Sequence, residues 1–400
     1  MAPPSIDVRL SALPPLDSLE PEWRELETRS DVPFFQTWSW IGVWLASLPK
    51  RVRPRLLRAR RQGVTVGLAV LVDAPIRRSL VPFGRALHLH TTGVDQLDAI
   101  TVEHNGLAAD RSCAAEVMQA AYRHLAQTLS SCRRISLPLL NNAQMHQGPF
   151  AAGELPARCL VSHTAHQNWI VDLAADGAYL DSLGRDTRNS IRRTLREAQA
   201  LGPVQVSVAP HAATALAYLD ELLALHAQRR QALGAGSDFD TDYCLRFHRQ
   251  LIQQNFHRGE IQLLRLRVGQ RDLGFLYSFV HRGRVYFYQM GIDYTLLSRK
   301  ASPGLLLLAS AVQHNAQLGH QECDFLAGSM AYKQALATRS ETMHSLVLHR
   351  SGPLLTLERQ LIGWLRPSIQ QVRQAHATLR DATTRLRQPT VPSPRQAAHR

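Results

Sequence analysis

Residues 283–333 read GRVYFYQMGID (283–293), YTLLSRKASPG (294–304), LLLLASAVQHNAQLG (305–319), HQECDFLAG (320–328) and SMAYK (329–333). The order is strand, Gly/Pro-bearing turn, helix, strand and then Tyr-Lys. Tyr286, Tyr288 and Met290 alternate along the first strand, which ends at Gly291. Arg299, Lys300 and Ala301 lead into Ser302, Pro303 and Gly304, where a helix opens. Ser302 suits a helix N-cap and Pro303 a first helical position, while Gly304 lets backbone approach a ligand. The free N–H groups of that first turn, with Arg299 and Lys300 beside them, fit a phosphate-bearing cofactor.

With those residues in place the chain resembles the GNAT superfamily of acyl-CoA-dependent acyltransferases. The pyrophosphate loop of that family follows its fourth strand as Gln/Arg-x-x-Gly-x-Gly/Ala. Arg299-x-x-Ser302-x-Gly304 keeps the first and last positions and puts Ser at the middle one. Further segments resemble the CelD-type (cellulose-biosynthesis) branch, related to the FemAB-like tandem GNAT proteins: Leu183 to Arg193 (LGRDTRNSIRR), Leu225-His226-x-x-Arg229, and Asp324-Phe325-Leu326 leading to Tyr332-Lys333. The resemblance is strongest over residues 168–335. It implies an α/β (α+β) fold of tandem GNAT-like domains, each a mixed, mostly antiparallel sheet flanked by helices, followed by a C-terminal helix.

Internal similarity supports a duplication. Arg55 to Arg60, a polar turn and Val66 to Val70 are echoed by Gln262 to Arg267, a polar turn and Leu273 to Tyr277, both β-hairpins. A helical region precedes each, Trp23 to Leu48 and His211 to Arg258, and a strand, loop and helix follow. The expected parsing is a degenerate first domain at 1–140, lacking the phosphate loop between Leu87 and Gly106, a linker at 141–167 and a catalytic domain at 168–352. A C-terminal amphipathic helix is expected at 353–387, with apolar residues at intervals of three and four, and a disordered tail at 388–400.

The net charge is +14, and almost all of the positive charge is arginine, since lysine occurs only at Lys50, Lys300 and Lys333. A lysine kept where arginine is the default points to a compact ammonium or a tunable pKa. On a helix starting near Asp186, Arg188, Arg192, Arg193 and Arg196 spread over one broad face. Either that face is solvated or it forms a cationic wall for an anionic acceptor or for the cofactor's 3′-phosphate. Without interleaved aromatics the run does not read as a nucleic-acid module. The five cysteines are odd in number and lack paired metal-ligand spacing. His88-x-His90 has no acidic or histidine companions, so no metal is expected. No apolar run approaches the ~20 residues of a membrane span. The first thirty residues carry Asp7, Asp17, Glu20 and Glu22 in place of a charged-then-apolar leader, so the expected location is the cytoplasm, with peripheral contact at the inner membrane face.

Under the resemblance, residues near Gln289, Met290 and Gly291 polarise the thioester carbonyl. Arg299, Lys300, Ser302, Pro303 and Gly304 hold the pyrophosphate, and Tyr332 protonates the leaving thiolate. Lys333 binds acceptor or phosphate, and Arg188, Arg192, Arg229 and Tyr288 bind substrate. The general base stays open between His226, for which packing on a helix is an equal reading, Asp293, for which a turn cap is, and Asp324, for which a buried pairing with arginine is. The implied function is transfer of an acyl group, acetyl in the first instance, from acyl-CoA as co-substrate, without metal. The acceptor is an amine or hydroxyl of a small molecule or a polysaccharide or cell-envelope precursor, in association with an envelope-polysaccharide machinery. Two alternatives are a FemAB-like transferase using aminoacyl-tRNA, and a non-catalytic partner in exopolysaccharide synthesis.

Overall fold

The computed structural model describes residues 5–78, 81–147, 159–173, 179–234, 239 and 241–350. The expected C-terminal helix at 353–387 and tail at 388–400 lie outside them. Among the described residues, thirteen strands form one sheet. Those of the first half are β1 (Ile6–Ala12), β2 (Pro54–Arg61), β3 (Val64–Arg78), β4 (Val81–Leu89), β5 (Ala108–Ala109) and β6 (Arg134–Leu140). After β7 (Cys159–Asp172) come β8 (Val204–Val208), β9 (Ile261–Val268), β10 (Arg271–His281), β11 (Arg284–Ile292), β12 (Glu322–Ala327) and β13 (Arg339–Arg350).

The spatial order β1-β2-β3-β4-β6-β13-β7-β12-β11-β10-β9-β8, with β5 on β3, repeats one plan in two directions. In each half three antiparallel pairings are followed by one parallel pairing. That pairing joins Ala86–His88 to 134–136 in the first half and Arg284–Tyr286 to 322–324 in the second. A helix makes each parallel crossover, Ala114–Thr128 in the first half and Pro303–Gln317 in the second. Both echoed hairpins are present, as β2/β3 and β9/β10, each with a register shift near its turn.

The centre of the sheet is exchanged. β7 follows β6 in the chain but pairs with β12, and β13 follows β12 but pairs with β6. Residues 1–349 are accordingly one compact unit. The segment expected to be a linker instead holds the helix Asn142–Gln147 and most of β7. Strand periodicity is hidden there because residues 163–167 carry His163, His166 and Gln167 on a mostly solvent-facing stretch, where polar side chains cost nothing.

A second tie is aromatic. Phe34, Phe35 and Trp40, all fully buried, come from the first half and pack on Phe279 of the second. Phe34 stacks on Phe279 with ring centroids 4.3 Å apart, and Trp40 meets it edge-on at 5.5 Å. Burying each such ring is worth ~2–3 kcal/mol, which binds the two halves as one core.

In the first half the strands β4 and β6 diverge beyond their short pairing, and the chain fills the gap itself. The Gln144 amide bonds both the N–H and the C=O of Leu107, at 3.1 and 3.0 Å, and Tyr122 donates to Gln144 at 2.6 Å. His90 accepts the Val70 N–H at 3.0 Å, and its other ring nitrogen lies 2.9 Å from Asn105.

Candidate active site

In the second half β11 and β12 also separate beyond Tyr286 and Asp324, and here the gap stays open. A cleft of about 710 Å³ begins between Phe287–Ile292 and Leu326–Ala327. Its far wall is the helix Ala212–Ala232, and its rim is residues 99–103, contributed by the first half. Of the residues singled out by sequence, His226, Arg229, Tyr288, Gln289, Met290, Tyr332 and Lys333 all line it. They come from three separate elements, and only tertiary structure brings them together.

Tyr332 sits on the short helix Ala331–Leu336 that follows β12. Burial, with Tyr294 beside it, pushes its phenol up to about 12, so it holds its proton at neutral pH. Lys333 is 5% exposed, and its ammonium donates to the carbonyls of Leu326 at 3.3 Å and Ala327 at 2.8 Å. Burial lowers its pKa, opposed by Glu103 and Asp324. Those carbonyls are available because the register of β12 on β7 shifts between Asp324 and Ala327, where Leu326 adopts φ 62. A branched residue in that region is strained, and such strain collects at functional sites.

β11 carries its own irregularity opposite Tyr277 and Ser278, so that Tyr288 bulges out of the β10 ladder. The Tyr288 hydroxyl then reaches across to donate to the Ile100 carbonyl of the first half at 2.6 Å. The Met290 N–H donates to the Gln289 side chain at 3.0 Å. Arg229 lays its guanidinium over Tyr294, 4.4 Å from the ring centroid, at the edge of the cleft.

The expected phosphate loop lies beside that edge. An added Cβ on Gly304 would come within 3.1 Å of Ile292 Cδ1 and 4.0 Å of the Tyr294 hydroxyl, both at the cleft. Pro303 opens the helix as expected. Helix Arg185–Leu201 pins the loop through residues that the arginine pattern obscured. Glu197 accepts from the Ser298 N–H and hydroxyl, Thr194 from the Ser302 N–H at 3.0 Å, and Ser190 meets the Ser302 hydroxyl at 2.9 Å. Arg193 donates to the Lys300 carbonyl at 2.7 Å, which sets a guanidinium next to Arg299 and Lys300.

Several expected roles are not supported by position. Asp324 is fully buried off the cleft, 2.8 Å from His104 and 3.0 Å from Arg284. Burial opposes its ionisation, but His104 and Arg284 overcome it and hold the carboxyl at about 2, which makes Asp324 an ion-pair centre. Asp293 caps its turn through Thr295 at 2.8 and 2.6 Å and pairs with Arg271 at 3.1 Å. Gly291 is the crossing point of helix and strand, since a Cβ there would fall 2.3 Å from the Leu222 carbonyl. Arg188 and Arg192 are engaged by Asp181 at 2.8 and 2.9 Å, outside the cleft.

One residue at the site was missed. Glu103, 7% exposed, enters from the first half and accepts the Ala327 N–H at 2.6 Å. Burial pushes its carboxyl up to about 7 against the pull of Ala327, Lys333 and His104. Ala327 thus binds Glu103 through its N–H and Lys333 through its C=O. No local pattern marks a lone Glu between Val102 and His104, in the half without a phosphate loop.

The sequence profile of the acetyltransferase (GNAT) domain matches residues 185–334, which span the pinning helix, the loop, both separated strands and Tyr332-Lys333. No curated protein matches the chain in sequence. Among solved structures the fold is similar to that of FemX, with 10% identity and a TM-score of 0.54 over 89% of this chain and 99% of that one. It is also similar to the C-terminal domain of a putative lysylphosphatidylglycerol synthetase from Agrobacterium fabrum, with 11% identity and a TM-score of 0.50 over 87% of this chain and 97% of that one. At such identities the likeness is one of fold, and it extends across both halves. The chain thus carries an acetyltransferase (GNAT) domain at residues 185–334, set in a fold similar to that of FemX.

Proposed function

We propose that the cleft moves an acyl group from acyl-CoA to an amine or hydroxyl of a small molecule or glycan precursor. The observation that carries this reading is the convergence of Tyr332, the Gln289–Met290 backbone and the Gly304 helix start on one opening between β11 and β12. The N–H groups of Gly304 and Leu305 have no intrahelical acceptor and are flanked by Arg193, Arg299 and Lys300, a fit for a pyrophosphate. Once the Gln289 side chain swings aside, the Met290 N–H polarises the thioester carbonyl, and Tyr332 gives its proton to the departing thiolate.

One observation favours the runner-up, an aminoacyl-tRNA donor. Thr194 and Ser190 already occupy the Ser302 N–H and hydroxyl, which leaves fewer loop donors for a pyrophosphate. Calorimetry with acetyl-CoA separates the two readings. Wild-type protein is expected to bind, and Gly304→Glu is expected to lose binding with unchanged circular dichroism, because the new carboxylate faces Ile292 and Tyr294 at the phosphate end. Absence of binding to the wild type, or full binding by the variant, overturns the acyl-CoA assignment.

A further inference from the structure

The acceptor end of the cleft is built around a buried carboxylate that has no cation paired to it. Glu103 uses one oxygen to accept from Ala327, and makes no second hydrogen bond and no ion pair within 4 Å among the described residues. Lys333 is close enough to influence it but spends its ammonium on two carbonyls. Its rim segment is held in an unusual backbone, with Thr101 at φ 24 and His104 at φ 47, facing the strained Leu326. His104 turns away to Asp324, while Glu103 lines the cavity. A buried, unpaired carboxylate is costly, and a structure retains one chiefly where a ligand completes it.

We propose that Glu103, delivered by the first half, binds a primary ammonium group of the acceptor and is the general base that deprotonates it. The inference rests on the acyl-transfer reading and narrows its acceptor from amine or hydroxyl to amine. The incoming R–NH3+ supplies the missing cation. Glu103 takes one proton, and the freed lone pair forms the C–N bond to the thioester carbon. The C–S bond breaks with its electrons on sulfur, which takes a proton from Tyr332. The second proton of the attacking nitrogen restores Tyr332, and Glu103 releases its own to solvent, so one proton leaves per amide formed. A carboxyl that titrates near neutrality is matched to this work. The groups facing it are Lys333 on the helix after β12, Asp324 on β12, His104 on its own segment and Tyr288 on β11, with His226, Arg229 and Arg230 on the opposite wall.

The test uses the full chain and its Glu103→Gln and Glu103→Asp variants. Infrared difference titration should show a carboxyl ionising near the value for Glu103 that is missing from Glu103→Gln. Ethylammonium should move that titration to lower pH, and ethanol should not. With acetyl-CoA and a panel of primary amines, thiol release by Glu103→Gln should fall about 10²–10⁴-fold, with acetyl-CoA affinity intact. Glu103→Asp should keep part of the rate and shift the acid limb. The Gln variant should fold well: the raised carboxyl favours the native state only below its unfolded pKa, and that contribution is lost as pH rises through about 7. A carboxyl indifferent to ethylammonium, or Glu103→Gln turning over within threefold of wild type, overturns the proposal. If wild type fails to bind acetyl-CoA, the donor assignment falls, and the ammonium-linked titration still decides the role of Glu103.

Discussion

Asp324→Asn tests whether Asp324 holds the two halves together or does chemistry. The carboxylate is fully buried and contacts His104 of the first half at 2.8 Å, Arg284 at 3.0 Å, the Leu326 N–H at 2.8 Å and Asn168 at 3.3 Å. Breaking a buried ion pair costs ~3–5 kcal/mol. Arg284 keeps Glu322 at 3.2 Å and Glu341 at 3.5 Å, so it is not stranded, and an asparagine oxygen can still accept from Leu326. The expected loss is therefore at the low end, about 3 kcal/mol. A second route has the same sign: a carboxyl held at about 2 against an ordinary 3.8 corresponds to roughly 2 kcal/mol of pH-linked stability. Because the folded value is depressed, this contribution is present above the ordinary pKa and is lost as pH falls from about 4 towards 2. Urea unfolding should then show a gap between wild type and variant that is full at neutral pH and shrinks below about pH 4. A gap under ~1 kcal/mol at neutrality, or one that does not shrink in acid, refutes the ion-pair account. Turnover that loses its acid limb in a fully folded variant would return Asp324 to the list of bases.

Tyr332→Phe should lower kcat about 100-fold while acetyl-CoA affinity by calorimetry stays the same, since the proposed reaction has the phenol act on the departing thiolate. Unchanged thiol release would remove Tyr332 from the chemistry. Lys333→Arg forces a larger head group into a space bounded by two carbonyls and by Gly328, whose added Cβ would lie 3.3 Å from the ammonium. It should cost ~1–3 kcal/mol of stability and reduce turnover, and a variant with wild-type melting and rate would make the rarity of lysine incidental.

The extent to which the site was legible varied with how local its signals are. Tyr332-Lys333, the VYFYQM strand and the Pro303 helix start were readable because each is a short run whose residue types match one backbone geometry. The arginines at 188 and 192 stayed open because charge at helical spacing does not reveal a partner such as Asp181, to which both side chains turn. The role of Asp324 stayed open because an acid among apolar residues reads alike whether it is poised for chemistry or sealed by His104 and Arg284.

The sequence by itself determined that there are two similar αβ halves and that the second carries a helix opening at Pro303, because hairpin repeats and helix starts are encoded within a few residues. Only the tertiary structure decided that β7 and β13 exchange places at the centre of the sheet. It alone decided that the first-half gap is filled by Gln144 and Asn105 while the second stays open, and that Glu103 crosses from one half into the cleft of the other. Those outcomes rest on contacts between residues from 15 to 224 positions apart. Strand exchange, groove filling and the desolvation of a lone carboxylate depend on what packs against a residue, and no property of its neighbours in sequence fixes that.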